Sequence, residues 1–200
     1  PRPRLLNIRQ LFLFTDFFYI ANPQGEVEAR YGYSGIYSQF GDGSYWLGMA
    51  SMNLECLTDV FEIRDGVNIQ PGTYRFANVF TEYESDKSQW LSVKLTGNIG
   101  RFYDGSIIGN GCGLNLKAGA RLTWNLDYQR NAVDVTAGSF VDNILGTRII
   151  YTFTPRFFAK VFIQWNSDTE EILANVLVNF IHTAGSDLFV VYNEELSTHA

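Results

Sequence analysis

Between positions 121 and 129 the chain reads RLTWNLDYQ, and its polarity reverses at every step. Leu122, Trp124, Leu126 and Tyr128 fall on one side, and Arg121, Thr123, Asn125, Asp127 and Gln129 on the other. A period of two marks a β-strand, whose successive side chains leave opposite faces of the sheet. The same beat recurs in LSVKLTGNI at 91–99, GTRIIYTFT at 146–154 and EILANVLVNF at 171–180, where Leu173 and Leu177 make it less tidy. In AKVFIQWN at 159–166, Ala159, Val161, Ile163 and Trp165 oppose Lys160, Gln164 and Asn166, with Phe162 among the polar residues. EVEARYGYSGIYS at 26–38 sets Val27, Ala29, Tyr31, Tyr33 and Tyr37, read as its apolar row, against Glu26, Glu28, Arg30, Gly32 and Ser34.

Short polar segments separate the runs: NPQGE at 22–26, GDGS at 41–44, SDKS at 85–88, YDG at 103–105, TPR at 154–156, NSDTE at 166–170 and AGSD at 184–187. Each holds the Gly, Pro, Asn or Asp that a tight reversal needs. Only 58–72 is a longer connection, and GVNIQPGTY within it has room for a short strand. The pattern predicts an all-β fold, an antiparallel up-and-down meander of about ten to twelve strands. No linker, heptad or low-complexity segment divides it, so residues 1–200 are expected to form a single domain.

Alternation does not say which face is dry. A soluble barrel buries its apolar row, whereas a membrane barrel turns that row to lipid and keeps the polar row inside. Composition favours the second reading. Charged residues are 18% of the chain, below the roughly one quarter of a soluble domain, and aromatics are 16%. The polar rows are rich in Asn, Thr, Ser and Gln with few charges, and the apolar rows carry Trp and Tyr toward strand ends, as interfacial aromatic girdles do. The expectation is a transmembrane β-barrel. Its lumen row would contain Glu28, Arg30, Glu55, Lys94, Lys117, Arg121, Asp127, Arg148 and Lys160 among several asparagines. Its lipid row would contain Leu122, Trp124, Leu126, Val161, Ile163 and Trp165. With this strand number the lumen is expected to be plugged or very narrow, and mixed signs predict weak ion selectivity. A soluble β-barrel binding an apolar ligand is the alternative.

The net charge of −6 argues against nucleic acid as a partner. No apolar run approaches the ~20 residues of a spanning helix. The opening PRPRLLNIRQ lacks the apolar core of a signal peptide, so a mature form or a piece of a longer protein is expected. Cys56 and Cys112 read as two small apolar side chains, and with two separated histidines they make no standard zinc site. No metal or other cofactor is expected. His182 with Ser186 and Asn175 or Asn179 is the only set imitating an outer-membrane phospholipase triad; an interfacial histidine is the simpler reading, so no catalytic residue is assigned and no enzyme is expected. The glycines of GNGCG at 109–113 precede no helix, so the geometry of a phosphate loop is missing.

IQPGTYRF at 69–76, GRFYDGS at 100–106, YTFTPRFFAKVFIQWNS at 151–167 and ANVLVNFIHTAGSDLFVVYNEE at 174–195 resemble, in order and spacing, the bacterial domain-of-unknown-function 5916 group. The resemblance covers most of residues 69–195; residues 1–68 match only as barrel strands. It implies an outer-membrane β-barrel, with the Gram-negative outer membrane as location and its lipid, with other outer-membrane or periplasmic proteins, as partners. Members usually carry a preceding periplasmic domain similar to family-9 carbohydrate-binding modules and run on past VYNE to a terminal strand. This sequence carries no such domain and ends at LSTHA. The function expected is therefore structural or anchoring, or that of a narrow solute channel, within a larger surface assembly or alone. An outer-membrane hydrolase is the remoter alternative.

Overall fold

The computed structural model describes residues 7–183 and 185–198. The described chain runs through thirteen strands: β1 (Ile8–Ala21), β2 (Val27–Phe40), β3 (Tyr45–Leu57), β4 (Phe61–Arg64), β5 (Val67–Ile69), β6 (Gly72–Glu84), β7 (Leu91–Phe102), β8 (Gly105–Ala118), β9 (Leu122–Val135), β10 (Gly138–Thr154), β11 (Phe157–Asn166), β12 (Glu171–Thr183) and β13 (Ser186–Ser197). Eleven of them form one sheet in the order β1-β2-β3-β6-β7-β8-β9-β10-β11-β12-β13, and β4 and β5 pair separately. Neighbours in sequence are neighbours in the sheet, interrupted only by the β4–β5 hairpin. The up-and-down antiparallel meander is therefore present. The sheet is not closed among the described residues: β1 and β13 are its two edges. No described helix is long and apolar enough to cross a membrane, which says nothing of crossing by strands.

The turns form by the chemistry their sequences carry. Asn22 Oδ1 accepts the backbone N–H groups of Gln24 at 3.1 Å and Glu26 at 2.9 Å. Asp42 Oδ1 takes the N–H of Ser44 at 3.0 Å, and Asn166 Oδ1 that of Asp168 at 2.7 Å. Short Asn and Asp side chains thus meet the N–H groups that a reversal leaves unpaired. The turn predicted at 184–187 begins on Ala184, outside the described residues.

Contacts gather the chain into two units. The first holds the chain up to Tyr83 with Thr96–Asn110 and Asn131–Val141; the second holds Glu84–Leu95, Gly111–Arg130 and the chain from Asp142 onward. In the first, register fixes the faces of β1, β2 and β3. Phe14, Asp16 and Phe18 of β1 stand opposite Gly35, Tyr33 and Tyr31 of β2, which in turn oppose Met49, Ser51 and Asn53 of β3. Ala29 opposite Glu55 continues that face. The other face carries Leu13, Phe17, Ile36, Trp46 and Met52.

The apolar core of this unit sits around the hairpin. Ile69 of β5, 1% exposed, packs with Phe76, Tyr103, Val133 and Val135, and Leu57, Ile63 and Val67 lie against them. The 58–72 connection, where a short strand had room, thus contains a whole hairpin, turned at Asp65–Gly66 with Gly66 at φ +75°. In the second unit, β10 to β13 pair antiparallel, with register shifts only near Thr152–Thr154 and Ile181–Thr183. Val161 meets Ile149 and Val176, and Ile163 meets Thr147 and Ala174.

Candidate functional site

A polar cavity of about 410 Å³ lies in the second unit, built by consecutive strands and one turn. The end of β6 supplies Glu84, the β6–β7 turn Lys87, and β7 contributes Ser92 and Lys94. From β8 come Gly113, Asn115 and Lys117, and from β9 Asn125 and Asp127. The residues from each strand are two apart, so alternation alone brings one polar row per strand to the cavity. Leu114 is the apolar member of the lining.

Its electrostatics are mixed. Glu84, almost entirely buried, pairs with the exposed Lys87 at 2.9 Å. The Lys117 ammonium donates to the Lys87 backbone carbonyl, which ties β8 to the turn. Asp86 in that turn accepts the Ser88 hydroxyl at 2.6 Å, the Ser88 N–H at 2.8 Å and the Gln89 amide at 3.0 Å. The Ser88 hydroxyl above all, with Lys117 nearby, holds its carboxyl below the usual carboxylate range. Asn115 donates through Nδ2 to Asn125 Oδ1, while its own buried Oδ1 has no hydrogen-bond partner. A buried unmet acceptor in a polar cavity favours a ligand or water that brings a donor. A Cβ at Gly113 of the same wall would stand 2.7 Å from Asp127 Oδ1, so a larger residue there would displace that carboxylate.

A second polar cluster belongs to the first unit. Glu55 accepts the Tyr31 hydroxyl at 3.2 Å and the Tyr103 hydroxyl at 2.7 Å. Tyr103 sits in the β7–β8 turn at φ +50°, a conformation that a bulky side chain adopts only at a cost. Burial first, then the Glu55 bond, push its phenol above the usual tyrosine range. Asp104 beside it accepts the Thr136 N–H at 3.4 Å. Gly105 allows the next strand to start, because any Cβ would collide with the Asp134 carbonyl oxygen and Val135 Cα.

The expected lumen residues separate accordingly. Lys94, Lys117 and Asp127 come together in the cavity. Glu55 lies with the phenols of Tyr31 and Tyr103. Arg148 and Lys160 share a face of β10 and β11, opposite Phe162 and Ile150, and are exposed, with their cations 5.2 Å from the ring centres of Phe162 and Phe158. Arg121 precedes β9 in the turn and is exposed. Glu28 and Arg30 do not share a face with Glu55. Arg30 stands opposite Leu54, in the row of Met52 and Trp46, on the face away from Glu55, and its guanidinium covers the Tyr19 ring at 5.1 Å. Glu28, two residues away on the same strand, shares that row. The physical reason is that the β2 tyrosines, counted as apolar, use their hydroxyls on the polar side.

Of the residues expected toward lipid, Trp124 is exposed and donates its indole N–H to Thr147 Oγ1 at 2.8 Å. Leu122 and Leu126 share its row. Ile163 is exposed, while Val161 and Trp165, opposite Val176 and Ile172, are half-buried. His182 ends β12 beside the Phe180 ring, while Asn175 and Asn179 lie on the opposite face of that strand, so the triad-like set does not assemble. Cys56 and Cys112 are free. No group of three metal-ligating side chains occurs among the described residues. The Asn115 acceptor and the Tyr103 conformation carry no motif that sequence reading could have found, although YDG marked the turn itself. No family model, curated protein or solved structure matches the chain.

Proposed function

We propose that the protein is a β-barrel of a bacterial outer membrane, with its apolar row in lipid and its polar row enclosing a narrow passage or binding chamber for a small polar solute. One observation carries this reading: outside the small apolar core at the β4–β5 hairpin, large apolar side chains are exposed while polar ones are buried. Leu13, Met52 and Phe17 are 75%, 76% and 68% exposed, whereas Ser92, Glu84 and Asn179 are 2%, 5% and 5% exposed. Water penalises that arrangement, and a membrane rewards it. Main-sheet strands of 10 to 17 residues meet or exceed the ~9–11 that a tilted crossing needs. Trp46 and Trp124 add support, because each indole N–H on the apolar face is met by a threonine of a nearby strand, Thr81 at 2.9 Å and Thr147 at 2.8 Å. Polar groups facing hydrocarbon need such internal partners. Closure of the sheet belongs to the proposal, since an open edge in lipid leaves backbone groups unpaired.

The test is depth-resolved quenching. With Cys56 and Cys112 replaced, single labelled cysteines at positions 122 to 127 are reconstituted in liposomes and exposed to a lipid-borne nitroxide. Strong quenching at 122, 124 and 126 with weak quenching at 123, 125 and 127 is expected. A flat profile, or protein that stays out of the liposomes, would overturn the membrane reading in favour of a soluble barrel.

A further inference from the structure

The polar face of β1, β2 and β3 differs in chemistry from the lysine-rich cavity of the second unit. By register it carries Phe12, Phe14, Asp16, Phe18 and Ile20 on β1, Ala29, Tyr31, Tyr33 and Tyr37 on β2, and Met49, Ser51, Asn53 and Glu55 on β3. These paired positions contain two carboxylates and no lysine or arginine. The nearest cation of the three strands, Arg30, is on the opposite face with Tyr19. Toward Glu55 from Asp16 lie Phe18, Tyr31 and Tyr33, and Phe14, Phe12 and Tyr37 extend the aromatic face beyond Asp16. Phe14 meets Tyr33 edge-on at 6.1 Å, Phe18 stacks on Tyr33 at 6.2 Å, and Phe12 meets Tyr37 at 6.0 Å. Phe12 and Phe18 remain half exposed, so ring surface is available to a ligand.

Ring faces and carboxylates both attract positive charge, and the rings also cover apolar carbon. Asp16 is exposed beside the Tyr33 hydroxyl and Glu55 accepts two phenols, and neither faces a lysine or arginine of these strands, so a cation reaching this face meets no competing positive charge there. Asp16 and Glu55 are two strands and four residues apart, about 16 Å between Cα atoms from ordinary strand spacing and rise. That span suits two charges on one extended molecule, with Phe18, Tyr31 and Tyr33 flanking the carbon chain between them.

We propose that this strip binds a linear organic polycation of the aliphatic polyamine class, with one ammonium at Asp16, another at Glu55, and methylenes along the rings. The inference rests on the polar face being the wet one. The same quenching assay with single labelled cysteines at positions 13 to 18 of β1 reports that premise separately, so the two failures are distinguishable.

The probe is spermidine, titrated calorimetrically into the folded full chain in detergent micelles, with putrescine, maltose and sodium chloride as comparisons. Spermidine is expected to bind better than the shorter putrescine, and maltose not at all. Asp16→Asn should weaken spermidine by about tenfold, the scale of one lost charge-assisted hydrogen bond. Phe18→Leu, which keeps apolar bulk and removes the ring, should weaken it by a few-fold. Glu55→Gln also disturbs Tyr103, so it is read only where circular dichroism matches the parent, and Asp16→Asn stands without it. No saturable heat with spermidine from folded protein would overturn the proposal. So would binding indifferent to Asp16→Asn, or preference for maltose, which would make the strip a sugar-stacking surface.

Discussion

Replacing Tyr103 by Phe, Ala and Gly separates three contributions that meet at one turn residue. The side chain is 9% exposed within the cluster of Ile69, Phe76, Val133 and Val135, its hydroxyl donates to Glu55, and its backbone stands at φ +50°. Tyr103→Phe removes only the hydroxyl. Because the acceptor is a carboxylate, the loss should be about 2 kcal/mol, with Glu55 left to the longer Tyr31 bond. Tyr103→Ala also removes the ring and opens a cavity, for about 3–5 kcal/mol in all. Tyr103→Gly makes the same cavity but relieves the left-handed backbone, so it should be about 1 kcal/mol more stable than the alanine variant. That order is the reverse of what strand interiors give. The assay is urea unfolding of protein folded in micelles, followed by tryptophan fluorescence and compared at constant slope. A glycine variant no more stable than the alanine one would refute the strain argument. A phenylalanine variant equal to the parent would refute the Glu55 bond.

Three further outcomes follow from the same geometry. Ile69→Ala should cost about 2–4 kcal/mol and open the chain to trypsin after Arg64, because the β4–β5 hairpin is held by that burial; unchanged proteolysis would show that other contacts anchor it. The lowered carboxyl of Asp86 contributes stability that is present above the ordinary carboxylate range and lost as pH falls through its folded value. Asp86→Asn should therefore flatten the acid limb of the stability profile, and an unchanged limb would exclude that role. The raised phenol of Tyr103 works at the other end: its stabilisation is complete below the ordinary tyrosine range and is lost as pH rises through the folded value. An absorbance titration at alkaline pH should lose its latest-ionising tyrosine in Tyr103→Phe.

Strand existence was legible because side-chain alternation and turn chemistry are local. The row from Arg121 to Gln129 has no apolar residue on its polar side, and Asn22, Asp42 and Asn166 hold turns through their own side chains. Strand β1 was hardest to read, since Leu11, Phe12, Leu13, Phe17, Phe18 and Tyr19 give apolar residues on both faces and no period to follow. The β4–β5 hairpin had a usable signal, the Asp65–Gly66 pair between FEIR and VNI, which marks a two-residue reversal. The cavity was legible only in part. Lys94, Lys117 and Asp127 follow from parity, but Glu84 and Lys87 enter through a turn whose path the sequence does not specify.

The face of β2 shows what parity leaves open. The odd and even rows separate cleanly, yet counting tyrosine by its ring assigns Tyr31 to an apolar row although its hydroxyl meets a carboxylate. Tyr31 spends its hydroxyl on Glu55, and Tyr33 stands opposite Asp16, so the tyrosine row follows the carboxylates. The even row looks polar only by composition: a Cβ at Gly32 would stand 3.5 Å from the Phe17 ring, and Arg30 covers Tyr19. Small residues there make room for large apolar neighbours on β1 and β3 rather than for water. The sidedness of an amphipathic strand is thus set by the partners its hydroxyls and glycines meet across the ladder. A carboxylate on the adjacent strand, such as Asp16 within TDFF, is the signal that assigns a tyrosine row to the polar side.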